Sequence, residues 1–122
     1  MPEQAKCEFG FVGQTVLVTG STRAIGIEIA RRFAKAGARV FVHGPDREST
    51  LKSAGELANE YTTARISGIV FDVADAKAVE NGISSIDIEA GGVDILISNA
   101  EIPKSHSCNG PGYRYLQKHY RR

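Results

Sequence analysis

Cysteine is scarce in this sequence, with only Cys7 and Cys108 present and far apart. Their spacing excludes a disulfide scaffold and any C-x-x-C redox or metal motif. No run of about 18 apolar residues exists, so no membrane span is predicted. The first residues lack a basic region followed by an apolar core, and therefore do not resemble a signal peptide. These absences favour a reduced, cytoplasmic protein without membrane contacts.

Acidic residues are absent after Glu101, and residues 104–122 are basic, aromatic and punctuated by glycine and proline. We expect a flexible, solvated tail there. Contact with nucleic acid is the alternative, but five basic residues outside a folded domain are weak evidence for it. No metal site is predicted, since His106, Cys108 and His119 fit no zinc spacing.

The central pattern lies in residues 15–44, TVLVTGSTRAIGIEIARRFAKAGARVFVHG. Residues 15–19 are β-branched and apolar, which predicts a buried strand. After a glycine-bearing turn the apolar residues adopt helical spacing until Gly37, a predicted helix stop, and residues 39–43 predict a second strand. Strand, turn, helix and strand within about thirty residues are typical of a βαβ unit.

The same alternation continues downstream. The pattern predicts a helix over residues 48–61, a strand over 66–71, a helix that begins at Asp75 and a strand over 93–98. Alternation implies a parallel α/β sheet, Rossmann-like and doubly wound but truncated, with strand order 3-2-1-4. We therefore predict a lead-in (1–13), a partial dinucleotide-binding domain (14–103) and the tail (104–122).

The turn between the first strand and helix carries the functional prediction. A dinucleotide pyrophosphate requires backbone N–H groups at a helix N-terminus and glycines that let the backbone approach closely. Gly20 and Gly26 meet these requirements in the expected strand–turn–helix context. An ordinary tight turn without a ligand is the alternative.

Residues 19–26, TGSTRAIG, resemble the T-G-x-x-x-G-I-G fingerprint of the short-chain dehydrogenases/reductases. The resemblance covers about residues 14–100 and implies cofactor-binding roles for Gly20, Ser21, Thr22, Arg23, Ile25 and Gly26. Ala24 departs from the pattern, because the family usually has glycine there. We expect its methyl group to be tolerated if φ is negative.

The resemblance also implies which dinucleotide binds. Gly44 lies where NAD-preferring relatives carry aspartate, and Arg23 lies in the turn as in many NADP-preferring relatives. With His43 and Arg47 at the end of the second strand, NADP is predicted in preference to NAD. The alternative is that both arginines are solvated surface charges.

Two further pairs resemble family motifs at the ends of strands. Asp72 and Val73 resemble the pair that contacts the adenine ring, with a simple helix-start acid as the alternative for Asp72. Asn99 and Ala100 match two positions of the family's N-N-A-G motif, and are expected to steady the fourth strand and line the cofactor. Glu101 replaces the glycine of that motif and should weaken binding.

Catalytic residues are not predicted in this chain. The family's acid/base tyrosine is followed four residues later by lysine, and none of the four tyrosines has that spacing. The resemblance therefore implies the NADP(H)-binding portion of a carbonyl/alcohol oxidoreductase, at best 3-oxoacyl reductase-like, with the catalytic half absent. An inactive nucleotide-binding module or a truncated remnant is the alternative. The unpaired edge of strand 93–98 also predicts self-association.

Overall fold

A computed structural model describes residues 10–100 of the chain. Strands and helices alternate throughout this part. They are β1 (Thr15–Val18), α1 (Ala24–Lys35), β2 (Arg39–Gly44), α2 (Arg47–Glu60), β3 (Ile66–Val70), α3 (Ala76–Ala90) and β4 (Ile95–Ile97). The predicted elements are all present, although β4 is shorter than the predicted strand 93–98. None of the helices in residues 10–100 is long and apolar enough to cross a membrane.

The four strands form one parallel sheet in the order β3-β2-β1-β4, which confirms the predicted Rossmann-like topology. β1 lies in the centre with all four residues buried, as expected for a strand covered on both faces. The topological switch point lies between β1 and β4, because the chain adds β2 and β3 on one side of β1 and then crosses to β4 on the other. In open α/β sheets ligands bind outside the carboxyl ends of the strands at such a point.

Alternating side chains of the strands belong to two separate apolar clusters, one on each face of the sheet. Val16, Val18 and Val40 pack with α1 and α2 on one face of the sheet. Leu17 and Phe41 pack with α3 on the other face. The period of two along each strand explains this separation, and it also decides which face receives any other side chain of β2.

The ends of the helices are defined by local chemistry. α1 stops where Gly37 adopts a φ of 93° and donates its N–H to Ala34 O at 3.0 Å. The Asp46 carboxylate accepts from Ser49 N–H at the start of α2, and Asp75 accepts from Lys77 and Ala78 N–H at the start of α3. Asp75 was predicted as the start of α3, and the structure confirms it.

Candidate functional site

The carboxyl ends of β1 and β4 are joined by the buried hydroxyl of Thr19. Its Oγ1 accepts from the N–H groups of Asn99 at 3.0 Å and Ala100 at 3.1 Å. The Asn99 side chain donates from Nδ2 to Gly20 O at 3.0 Å, so it spans the switch point from β4 to the turn after β1. These bonds hold the floor of the predicted crevice in one arrangement.

The glycine turn is packed so closely that neither glycine could carry a side chain. Gly20 has a φ of +65°, and an ideal Cβ there would lie 2.6 Å from the Cα of Ala100. At Gly26 an ideal Cβ would lie 2.1 Å from Gly20 O and 2.7 Å from Asn99 Nδ2. Both distances are far below normal van der Waals contact, so the turn requires glycine at these two positions.

Ser21 and His43 lie inside the protein and fasten the turn to β2. Ser21 N–H donates to His43 O at 2.8 Å, and His43 N–H donates to Ser21 Oγ at 2.9 Å. The His43 ring accepts from Gly20 N–H through Nδ1 at 2.9 Å. Burial lowers the pKa of His43 to about 4, against the opposing effects of its bond to Phe71 O and the nearby Asp72 carboxylate. His43 is therefore neutral at physiological pH.

Within residues 10–100 the N-terminus of α1 has no side-chain capping bond. Arg23 occupies the N-cap position without a side-chain capping bond, and the first turn contains no acidic residue. By contrast, α2 and α3 begin at aspartates whose carboxylates accept from backbone N–H groups. The first N–H groups of a helix lack intrahelical acceptors and carry the positive end of its dipole. The start of α1 is thus suited to an anion.

The two arginines that were predicted to bind the cofactor lie at the carboxyl end of the sheet, and both are exposed. Arg23 stands before α1 and Arg47 begins α2. Within residues 10–100 neither forms an ion pair, whereas Arg31 and Arg39 pair with glutamates. Thr22 is half-buried beside them, and its carbonyl accepts from Ser53 Oγ at 3.0 Å. Two cationic side chains are therefore available at this edge.

Ala24 differs from its sequence-based expectation, whereas the position of Ile25 agrees with a residue outside the core. Ile25 lies in the first turn of α1 and its side chain is 69% exposed, and its contact with a cofactor stays a prediction. Ala24 has a φ of 56°, in the left-handed region. The condition of a negative φ for a tolerated methyl group is not met, so this alanine holds a conformation that favours glycine.

Asp72 and Val73 follow β3 at the same edge. The Asp72 carboxylate is exposed and accepts from Ala74 N–H at 2.9 Å, while Val73 is buried in the α3-side cluster. Since Asp75 caps α3, Asp72 is not the acid that starts this helix. All the predicted cofactor-binding residues lie near the carboxyl ends of the four strands. Glu101, which was expected to weaken binding, lies outside the described residues. Cofactor binding by the predicted residues remains a prediction.

Comparison with known proteins identifies the fold's lineage. The sequence model of the short chain dehydrogenases matches residues 14–115, beyond the limit at residue 100 that the motifs indicated. The chain belongs to the short-chain dehydrogenase family. This confirms the resemblance inferred from residues 19–26.

Several relatives of this short-chain dehydrogenase chain are curated or solved. Gluconate 5-dehydrogenase of Gluconobacter oxydans is 41% identical over 96 residues, which are 79% of this chain and 37% of that protein. The 3-oxoacyl-[acyl-carrier-protein] reductase of Aquifex aeolicus is 34% identical over 80% of this chain and 39% of that protein. A gluconate 5-dehydrogenase from Burkholderia cenocepacia, solved with NADP and tartrate, has a TM-score of 0.71 at 35% identity, over 80% of this chain and 38% of that one. The chain thus spans somewhat over a third of these relatives' length.

Two buried threonines were missing from the predicted site. Thr19 joins β1 to β4, and its place before the first glycine of the fingerprint was a usable signal. Thr50 lies on α2, where its Oγ1 would be 2.5 Å from an ideal Cβ of Gly44. No sequence spacing indicates that contact, because it depends on how α2 packs against the end of β2.

Proposed function

We propose that the carboxyl edge of the sheet binds NADP(H), and that the chain supplies this binding portion to a short-chain dehydrogenase that interconverts carbonyl and alcohol groups. The main support is the start of α1, which lacks a side-chain cap among the described residues and follows the close-packed turn that contains Gly20 and Gly26. A helix N-terminus of this kind stabilises a pyrophosphate through backbone N–H groups and the helix dipole. Solved relatives that contain NADP are consistent with this assignment.

The residues present fit such a dinucleotide. The turn from Gly20 to Gly26 would hold the pyrophosphate, while Asn99 keeps Gly20 in place through its carbonyl. Asp72 and Val73 would meet the adenine ring. When bound, the nicotinamide supplies or accepts the hydride. The described residues are therefore assigned to binding and orientation of the cofactor.

Preference for NADP over NAD is assigned to Arg23, with Arg47 as a second contributor. Both are exposed, and neither is engaged in an ion pair within the described residues. A carboxylate that would hydrogen-bond the 2′-hydroxyl of NAD is missing at Gly44. A guanidinium can pair with the 2′-phosphate of NADP through charged hydrogen bonds.

The test is a fluorescence titration of the chain with NADPH and with NADH. A hydrogen bond to a charged group contributes about 1.5–3 kcal/mol, so Arg23→Ala should weaken NADPH binding roughly ten- to a hundredfold. NADH affinity should change little. Arg65→Ala is the matched control, because Arg65 is also exposed but precedes β3 at the opposite, amino end of the sheet. Equal affinity of the parent chain for both cofactors would refute the preference.

The substrate class follows from the relatives and is proposed at the level of a carbonyl/alcohol pair. A 3-oxoacyl group is one option, since 3-oxoacyl reductases are among the relatives, but a sugar acid is supported equally by the gluconate dehydrogenases. Turnover of each by a purified protein would decide between them.

An inactive nucleotide-binding module is the second candidate function. It is favoured by the sequence itself, in which no tyrosine is followed four residues later by lysine. Without a general acid the rate should fall by about 10²–10⁴. NADPH oxidation by this chain with a panel of aldehydes and ketones should then be absent. Oxidation that disappears in Tyr115→Phe or Lys118→Ala would refute this candidate.

A further inference from the structure

His43 joins the ends of three strands through its ring. It lies near the end of β2 and is 1% exposed. Nδ1 lies 2.9 Å from Gly20 N, after β1, and Nε2 lies 2.8 Å from Phe71 O, after β3. A backbone N–H can only donate and a carbonyl can only accept, so Nδ1 is bare and Nε2 carries the proton. The network therefore assigns one neutral tautomer to this ring.

The backbone of His43 forms hydrogen bonds with Ser21, which follows Gly20 in the turn. Ser21 N–H donates to His43 O, and the Ser21 hydroxyl donates to Val18 O at 2.6 Å while it accepts from His43 N–H. The first two N–H groups of the turn, at Gly20 and Ser21, are thus both committed to His43. Neither is available to a ligand, and the N–H groups that follow are the ones left to meet a phosphate.

The ring of His43 is kept in position by packing against Phe71. It packs against the Phe71 ring with 4.1 Å between centroids. An ideal Cβ on Gly82 of α3 would lie 2.5 Å from the Phe71 ring, so Phe71 has no free space on that side. The position of Nδ1 is therefore fixed by α3 packing, and the direction of the Gly20 N–H follows from it.

We propose that His43 is a positioning residue for the pyrophosphate turn: its ring acceptor holds Gly20 N–H and so sets where the later N–H groups of the turn and the start of α1 point. This inference rests on the proposed function, since it concerns how the same pyrophosphate-binding turn is held in place. His43 does not touch the cofactor in this role. It acts through Gly20 and Ser21.

The test compares His43→Phe with His43→Gln. Phenylalanine keeps the buried ring but leaves Gly20 N–H and Phe71 O without partners, whereas glutamine offers one acceptor and one donor at a spacing close to that of the imidazole nitrogens. Each variant is titrated with NADPH and with adenosine 2′-monophosphate, which has the 2′-phosphate but no pyrophosphate. We expect His43→Phe to weaken NADPH binding about two- to tenfold, the range of one neutral hydrogen bond, and to leave the monophosphate affinity unchanged. His43→Gln should restore most of the NADPH affinity.

Several outcomes would overturn the inference. Unchanged NADPH affinity in His43→Phe would refute the positioning role of His43 and leave the proposed function standing. Equal losses of affinity for both ligands would show a general effect on folding instead. Absence of NADPH binding by the parent chain refutes the proposed function, and the cofactor role of His43 with it. If His43→Phe does not fold, nitrogen NMR of the parent chain decides, because a proton on Nδ1 would exclude it as the acceptor of Gly20 N–H.

Discussion

The carbonyl oxygen of Gly20 lies 2.1 Å from the point where a Cβ of Gly26 would be. The first turn of α1 and the end of β1 are therefore in direct backbone contact, with the Asn99 amide on the other side. This contact sets the width of the glycine turn. It also explains why a fingerprint glycine is required in a helix, where glycine is otherwise unfavourable.

Gly26→Ala should destabilise the protein strongly. Its methyl group can be accommodated only if the Gly20 carbonyl moves, and overpacking of a rigid site costs about 1–3 kcal/mol or more. Chemical denaturation measures the change in the free energy of unfolding. Gly55→Ala is the matched control, since nothing lies within 4 Å of its Cβ position in α2. That control should gain roughly 0.5–1 kcal/mol, and equal effects of the two substitutions would contradict the contact.

Ala24→Gly should not destabilise the protein, although it places glycine at the start of a helix. The φ of 56° destabilises a non-glycine residue in the folded state by about 1–2 kcal/mol. Glycine removes this strain but raises the conformational entropy of the unfolded chain, which lowers stability by about 0.4–1 kcal/mol. The net gain in unfolding free energy is expected to be about 1 kcal/mol or less. Ala58→Gly, in the interior of α2, should instead lose about 1 kcal/mol. A similar loss at both positions would show that Ala24 is not strained.

The sequence predicted the order of the elements and the strand order 3-2-1-4, because buried parallel strands are short apolar runs and crossovers are right-handed. It did not predict the conformation of Ala24, since the residue type alone favours negative φ. The burial of His43 was recognisable in principle. Along β2, Val40 and Val42 face one cluster, so Phe41 and His43 must face the other. A polar residue at a strand end was instead interpreted as facing the cofactor.

Mild acid should destabilise the protein through His43. Its folded pKa of about 4 lies below the ordinary value of 6.5, so the unfolded state binds more protons between these limits. The stabilisation is complete above pH 6.5 and is lost as the pH falls toward 4, by roughly 3 kcal/mol. Unfolding free energies at several pH values should show this slope, and His43→Gln should lack it. The lowered pKa of Asp46 acts in a separate range below 3.8. An identical pH dependence in both proteins would contradict the assignment.

Gly44→Asp should not convert the site to NAD. An ideal Cβ there would lie 2.5 Å from Thr50 Oγ1 and 2.7 Å from Thr22 Cγ2, so the new side chain must displace α2 or the glycine turn. We expect a loss of about 1–3 kcal/mol in unfolding free energy and weaker binding of both cofactors. Adding Thr22→Ser and Thr50→Ala makes room and should recover stability. A stable single variant that binds NADH more tightly than NADPH would refute this steric account.

The outer edge of β4 should exchange its amide protons quickly or pair with a second copy of the chain. Thr19 N–H donates to Ile97 O, and the N–H and C=O groups of one strand residue point to the same side, so the N–H groups of Ile95 and Ile97 face β1 and that of Leu96 faces away from it. Among the described residues β4 is the last strand of the sheet, and an open edge is a template for association.

Sedimentation velocity over a range of concentrations, combined with hydrogen exchange, tests this. Association should slow the exchange of Leu96 as the concentration rises, with Ile95 and Ile97 slow throughout because their N–H groups face β1. Ser98→Lys places a charge beside the edge and should weaken association, whereas Ser84→Lys, at an exposed position of α3, should not. A monomer at every concentration with slow exchange at Leu96 would mean that another segment of the chain covers this edge.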